Sequence, residues 1–281
     1  MSNGALIFAH NNPIIDYTKL AIFAARRVIQ FLGVPVSLVT DNKQWLLNNY
    51  PDHPFDQVIE IELEDSTRKL FYDGSLSSMK FEWKNVSRNR AYELSPYDKT
   101  LVLDSDYIIS SDVLKLAFDR NTDLQIYSKS FDLAGWRDTA YFERINPYSI
   151  PFYWATAFVF QKNQIMESFF DLVSYIKGNW SYFRVLYNIE AALFRNDIAF
   201  SIAIHIMNGK TAGGFSTELP GTMTYIQDRD ILINIKDADM QLLVEKQNYL
   251  GEYQAVKTQG IDVHVMNKQS LTRFIDGGSG V

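Results

Sequence analysis

The first sixty residues constrain the fold more than any other feature of this 281-residue chain. "GALIFAHNN" reads as a short buried strand that ends in polar residues. "PIIDYTKLAIFAARRVIQFLG" follows with apolar residues at helical spacing (Leu20, Phe23, Ala24, Val28, Phe31, Leu32) and a closing Gly33. "VPVSLVTDN" is a second strand, "QWLLNNYP" a short helix, and "FDQVIEIEL" a third strand. Strand, helix, strand in this order predicts parallel pairing through a right-handed crossover, the unit of an α/β sheet.

A later strand ends differently. In "KTLVLDSDYIISSDVL", residues 99–114, the apolar run Leu101-Val102-Leu103 stops at two carboxylates, Asp104 and Asp106. Carboxylates at the end of a buried strand need a partner: a basic side chain, a helix N-terminus or a metal ion. Two further Asp-x-Asp pairs occur. Asp237 and Asp239, in "IKDADMQ", read as a solvated turn. Asp228 and Asp230, in "IQDRDILI", read as a hairpin turn with Arg229 between them. Only the first pair closes a strand that follows a βαβ series, and ligands of open α/β sheets sit beyond the carboxyl ends of the strands. A hard divalent cation suits such carboxylates, while capping of the next helix is the competing reading.

The rest of the chain continues the pattern. "GSLSSMKFEWKNVSRNRAYEL" reads as loop and helix, "VLKLAF" as a short helix and "DLQIYSK" as a strand. Residues 130–151 are rich in aromatics and turn formers and read as an irregular lid or acceptor loop. "FYWATAFVFQK" is a strand, "NQIMESFFDLVSYIKG" an amphipathic helix and "DIAFSIAIHIMNG" a buried one. "TMTYIQ", "ILINI" and "DVHVMN" are short strands. With no internal repeat and no composition shift, the expectation is one α/β domain over 1–275, with a central mixed, mainly parallel sheet flanked by helices. Residues 276–281, "DGGSGV" at their end, read as a flexible tail or cloning remnant.

Composition narrows the function. There are no cysteines, which excludes disulfides, thiolate metal sites and cysteine nucleophiles. A net charge of −6 offers no global attraction to nucleic acid or anionic membrane. The N-terminus lacks the pattern of a signal peptide, and no apolar run is long enough to span a bilayer. A soluble cytoplasmic protein is expected; its oligomeric state is not read.

"LSPYDKTLVLDSDYIISSDVLKL" resembles the metal-binding segment of GT-A-fold glycosyltransferases, family 8 in particular. The resemblance implies that Asp104 meets the ribose or the metal and that Asp106 ligates Mn²⁺ or Mg²⁺, which holds the diphosphate of a nucleotide-sugar donor. Other segments are similar in order. "SRNR" stands where the family has an arginine facing the nucleotide sugar, implying Arg88, with Arg90 as the second candidate. "FYWATAFVFQKNQ" implies Trp154, Ala155 and Thr156 at the sugar site. "RNDIAF" implies Asp197 beside the transferred sugar, with an N-cap as the alternative. "DVHVMNK" implies His264 as a third metal ligand and Lys268 on the diphosphate, although the family's glycine after the histidine and its Lys-Pro-Trp ending are missing. His10 and Asn11 after the first strand and Asp41 after the second are placed for nucleoside contacts; solvation and turn formation are the plain alternatives. His53 is a loop residue, and His205 reads as a hydrogen-bonded core histidine.

The resemblance thus implies a metal-dependent glycosyltransferase. Residues 1–110 would form its nucleotide-binding half and 111–275 its acceptor half, with a UDP-hexose donor and retained configuration. The acceptor is a glycan, a protein side chain or a hydroxylated DNA base, the last needing a local basic groove from Lys80–Arg90 and Arg137. A sugar nucleotidyltransferase lacks its glycine-rich phosphate loop in "FAHNNP". An inactive sugar-binding module is disfavoured by an intact Asp104, Asp106 and His264. A dehydrogenase lacks Gly-x-Gly-x-x-Gly.

Overall fold

A computed structural model describes residues 2–63, 67–84, 87–190 and 192–277. Of the expected tail, residues 278–281 lie outside them. The chain begins β1 (Asn3–Phe8), α1 (Tyr17–Leu32), β2 (Val36–Thr40), α2 (Lys43–Asn49) and β3 (Gln57–Glu60). The α1 helix starts where the Asp16 carboxylate accepts from the Lys19 N–H and stops at Gly33, whose φ of +70° is left-handed. β1 pairs in parallel with β2, and β2 with β3, as the early alternation predicts.

Next comes a departure. β4 (Thr67–Tyr72) and β5 (Ser78–Trp83) form an antiparallel hairpin where the sequence suggested loop and helix for the second arm. Cross-strand packing decides it: the Phe71 and Phe81 rings stack at 4.3 Å between centroids. Only the end of that stretch is helical, as a 3₁₀ turn over Arg88–Arg90 and α3 (Ala91–Leu94).

β6 (Lys99–Asp104) lies beside β1 in parallel register, with Phe8 opposite Asp104. It is followed by β7 (Tyr107–Ile108), α4 (Lys115–Asp119), β8 (Leu124–Tyr127), β9 (Ser130–Asp132) and β10 (Trp154–Gln161). The central sheet runs β3-β2-β1-β6-β10-β8, with β10 antiparallel to both neighbours, so it is mixed and mainly parallel. Beyond β9 and a 3₁₀ turn over Ala140–Phe142, residues 133–151 are irregular apart from a single bridge between Arg144 and Pro151.

The helices α5 (Gln164–Gly178), α6 (Trp180–Leu186) and α7 (Asn196–Met207) follow, then β11 (Met223–Ile226), β12 (Ile231–Lys236), β13 (Asp239–Lys246), β14 (Tyr249–Gln259), β15 (Val263–Val265) and α8 (Lys268–Asp276). β12-β13-β14 form an antiparallel meander whose two longer strands the sequence reading missed. Asp237, at φ +52°, turns its first hairpin as expected of that acidic pair. His205 is not a core residue. It is half-buried near the end of α7, edge-on to the Tyr187 ring. Among the described residues no helix is long and apolar enough to cross a membrane.

The small sheet β7-β15-β11-β9 positions the site. β15 pairs in parallel with β11, placing His264 opposite Tyr225, and antiparallel with β7, placing His264 opposite Tyr107. The Val265 N–H then donates to the Asp106 carbonyl at 2.9 Å. Backbone pairing alone therefore brings Asp106 and His264 together across more than half the chain.

Candidate active site

A cavity of about 470 Å³ opens where β6 ends. Asp104, Asp106, Arg88, Trp154, Thr156, Asp197, His264 and Lys268 all line it, as do Lys69, Trp83 and Asp228. Ligand atoms of Asp104, Asp106 and His264 lie within 4.8 Å of one another.

The acidic pair is matched by basic groups. Lys268 Nζ is 2.6 Å from the Asp106 carboxylate, and His264 Nε2 is 3.3 Å from it. Burial alone would raise the Asp106 carboxyl; Lys268 and His264 more than offset this and hold it far below the usual range. Burial lowers the Lys268 ammonium, but Asp106 first among its neighbours leaves it above its ordinary value. Arg88 pairs with Asp104 and donates through Nη1 to the Ala155 carbonyl at 2.9 Å, tying the end of β6 to β10. Its burial lowers the guanidinium to about 10 against the pull of Asp197 and Asp106.

Asp197 lies in the first turn of α7, whose N-cap is Arg195. One Asp197 oxygen accepts from the Ala155 N–H at 2.9 Å and the other meets Arg195 at 3.1 Å. Its carboxylate thus bridges strand and helix rather than capping the helix. Trp154 anchors an aromatic wall, 4.5 Å from Phe142, 5.5 Å from Tyr225 and 6.5 Å, edge-on, from His264. Phe142 and Tyr141 bring the irregular 133–151 segment to the cavity, while residues 130–132, expected to be irregular with it, form β9.

Other candidates lie apart. His10 is buried with Nδ1 3.5 Å from Asp41, and Lys84 reaches the other Asp41 oxygen at 3.3 Å. Neither His10, Asn11 nor Asp41 lines the cavity. The Asn11 side-chain oxygen accepts from the Thr18 N–H and hydroxyl, bracing the start of α1. Arg90 pairs with Glu93 on the surface, away from the cavity. Arg137 is no part of a basic groove. Its guanidinium is buried between Asp132 and Asp230, with Nη1 2.8 Å from Asp230 Oδ2.

Two contributors escaped sequence reading. Lys69, on the β4–β5 hairpin, places Nζ 5.7 Å from the Phe71 ring centroid and 5.8 Å from that of Trp83. The Asp228/Asp230 pair is not a hairpin turn. It links strands of different sheets, Asp230 being fully buried and Asp228 facing the cavity. Nothing local marks either role, since both depend on residues far away in the chain.

No protein-family model matches the sequence, and no curated protein matches it. Solved structures with a loose overall likeness include the glycosyltransferase GlyE of Streptococcus pneumoniae TIGR4 (TM-score 0.44, 12% identity, 78% of this chain and 45% of that one). The galactosyltransferase LgtC, in complex with donor and acceptor sugar analogs, gives 0.45 at 16% identity over 76% of this chain and 72% of that one. Mouse xyloside xylosyltransferase 1 gives 0.45 at 11% over 78% and 85%. This chain thus spans less than half the length of GlyE. At these scores the meaning of the site rests on its own residues.

Proposed function

We propose that this chain is a glycosyltransferase moving a sugar from a nucleotide-sugar donor to a hydroxyl acceptor with a divalent metal. One observation carries the reading. Two carboxylates and an imidazole from distant parts of the chain converge within 4.8 Å beside a cavity of nucleotide-sugar scale. The residues fit a metal: two hard oxygens and a nitrogen suit Mn²⁺, and Mg²⁺ less well because of the imidazole. His264 turns Nε2 toward Asp106, and among the described residues its buried Nδ1 has no hydrogen-bond partner.

In this reading Asp104, Asp106 and His264 would hold the ion, which supplies Lewis-acid charge to the departing diphosphate. Lys268 offers an ammonium to the same leaving group. Arg88 keeps Asp104 aimed into the cavity and braces β10. Trp154 and Thr156 shape the sugar subsite. Asp197, held at the positive end of α7, stabilises charge growing on the sugar. His10, Asn11 and Asp41 do not line the cavity and are given no role in this reading.

Calorimetry with a panel of nucleotide sugars, UDP-hexoses first, tests this with and without Mn²⁺. The expected result is metal-dependent binding of one donor, weakened at least tenfold in Asp106→Ala. Failure of every donor to bind in the presence of Mn²⁺ removes the proposal.

A further inference from the structure

Four carboxylates line the cavity, and three already have a cation. Arg88 sits on Asp104, Lys268 on Asp106 and Arg195 on Asp197. Asp228 makes no ion pair within 4.0 Å among the described residues. The Tyr72 backbone stabilises its carboxylate, and the charges of Lys69, Lys268 and Arg229 reach it at longer range.

The position is built from both sides. β11 and β15 pair Ile226 with Val265, and the Met266 N–H donates to the Ile226 carbonyl at 3.2 Å. Asn267 Nδ2 donates to the Asp230 carbonyl at 2.7 Å. The 227–229 turn is therefore stapled to the segment that carries His264 and Lys268. On its other side the Gly74 N–H reaches the Asp228 carbonyl at 3.3 Å, fastening the turn to the hairpin that bears Lys69. A carboxylate held this firmly, facing a cavity with no counter-charge in contact, has free oxygen lone pairs for a proton. Asp197 is less suited, because its two oxygens hold the Ala155 N–H and the Arg195 guanidinium.

We propose that Asp228 is the general base that takes the proton of the attacking hydroxyl, an assignment that rests on the glycosyl-transfer reading. The acceptor O–H proton passes to the Asp228 carboxylate as the oxygen forms its bond to the anomeric carbon. The bond from that carbon to the diphosphate oxygen breaks, and its electron pair leaves with the nucleoside diphosphate. The proton on Asp228 then returns to solvent. Burial raises the Asp228 carboxyl above its ordinary value, with Lys69 and Lys268 pulling the other way, which strengthens it as a base. The step as written is one direct displacement with no covalent intermediate, so the anomeric configuration inverts. The family 8 resemblance implies the opposite outcome.

Water serves as the acceptor in the test. Donor binding is read first, by calorimetry, then metal-supported hydrolysis of the bound donor, and then the anomer released, by proton NMR at early times. Asp228→Asn is expected to bind donor within about threefold of wild type and to hydrolyse it about a hundredfold more slowly or worse. Sodium azide, a nucleophile that needs no deprotonation, is expected to restore turnover to Asp228→Ala by forming a glycosyl azide. The wild-type sugar is expected with inverted configuration. Hydrolysis by Asp228→Asn within about threefold of wild type, a retained anomer, or a wild type that binds donor without hydrolysing it overturns the assignment while the transfer reading stands. No donor binding by wild type overturns both.

Discussion

The Lys268 ammonium lies 2.6 Å from the Asp106 carboxylate, both of them buried, so an internal cation neutralises the acid that the proposed metal would also use. Lys268→Met leaves that carboxylate with only His264 beside it. Loss of one partner from a buried ion pair costs on the order of 3 kcal/mol. Thermal unfolding is expected to show the loss, and Mn²⁺ to raise the midpoint of the variant more than that of wild type. Equal gains in the two proteins would show that Lys268 and the metal do not share the carboxylate.

Arg137 neutralises Asp132, at the end of β9, and Asp230, in the turn before β12, both almost inaccessible. Its removal strands two buried acids. Urea unfolding of Arg137→Met is expected to lose about 3–5 kcal/mol at pH 7. Burial already raises the Asp132 carboxyl, and taking away the guanidinium raises it further. A raised folded-state value gives stability that is present at low pH and lost as pH rises through it. The deficit of the variant should therefore shrink between pH 7 and pH 5; a deficit that does not change with pH would place the damage elsewhere.

Arg273 on α8 grips Asp73, beside the hairpin, through two contacts of 2.6 and 2.7 Å. That hydrogen bonding holds the Asp73 carboxyl below its ordinary value, against the raising effect of partial burial. The contribution has the opposite sign in pH: full above about pH 4 and lost as the pH falls through the lowered folded value. Solvent screens the pair, so Asp73→Asn is expected to cost no more than about 1 kcal/mol at pH 7 and nothing near pH 2. Chemical denaturation at both pH values reads this directly.

Gly4 is required by contact rather than by backbone angle. A Cβ there would run into the Tyr97 ring, whose hydroxyl is held by a hydrogen bond to Ser37 at 2.8 Å. Gly4→Ala is expected to destabilise the fold by about 1–3 kcal/mol. Trimming the ring in Gly4→Ala/Tyr97→Leu should recover part of the loss relative to the sum of the single changes. Strict additivity would argue against the clash.

Local pattern made Asp104 and Asp106 legible: an apolar strand that ends on two acids is an anomaly visible within ten residues. His264 was legible only through the order of segments, since an imidazole alternating with two valines looks exposed yet is buried here under Trp154 and the small sheet. Asp228 and Asp230 were misread because their immediate neighbours, Gln227 and Arg229, are those of a surface turn. The partner that buries Asp230 is 93 residues away in sequence. Lys69 was missed for a similar reason. Its strand is exposed at Arg68, Lys69 and Leu70, and the pairing that makes it a strand comes from Phe81 on the second arm.

The sequence by itself determined the α/β alternation, the parallel start of the central sheet and the strand that delivers the acidic pair. Those features follow from short-range periodicity, which each segment carries alone. Only the tertiary structure decided which charges meet: Lys268 on Asp106, Arg88 on Asp104, Arg137 on Asp230, and Asp228 without an ion pair among the described residues. The meeting of Lys268 with Asp106 depends on pairing between β7, β11 and β15, strands of two to four residues too short to announce their partners. Their register is set by the burial of the whole sheet, which no local segment encodes.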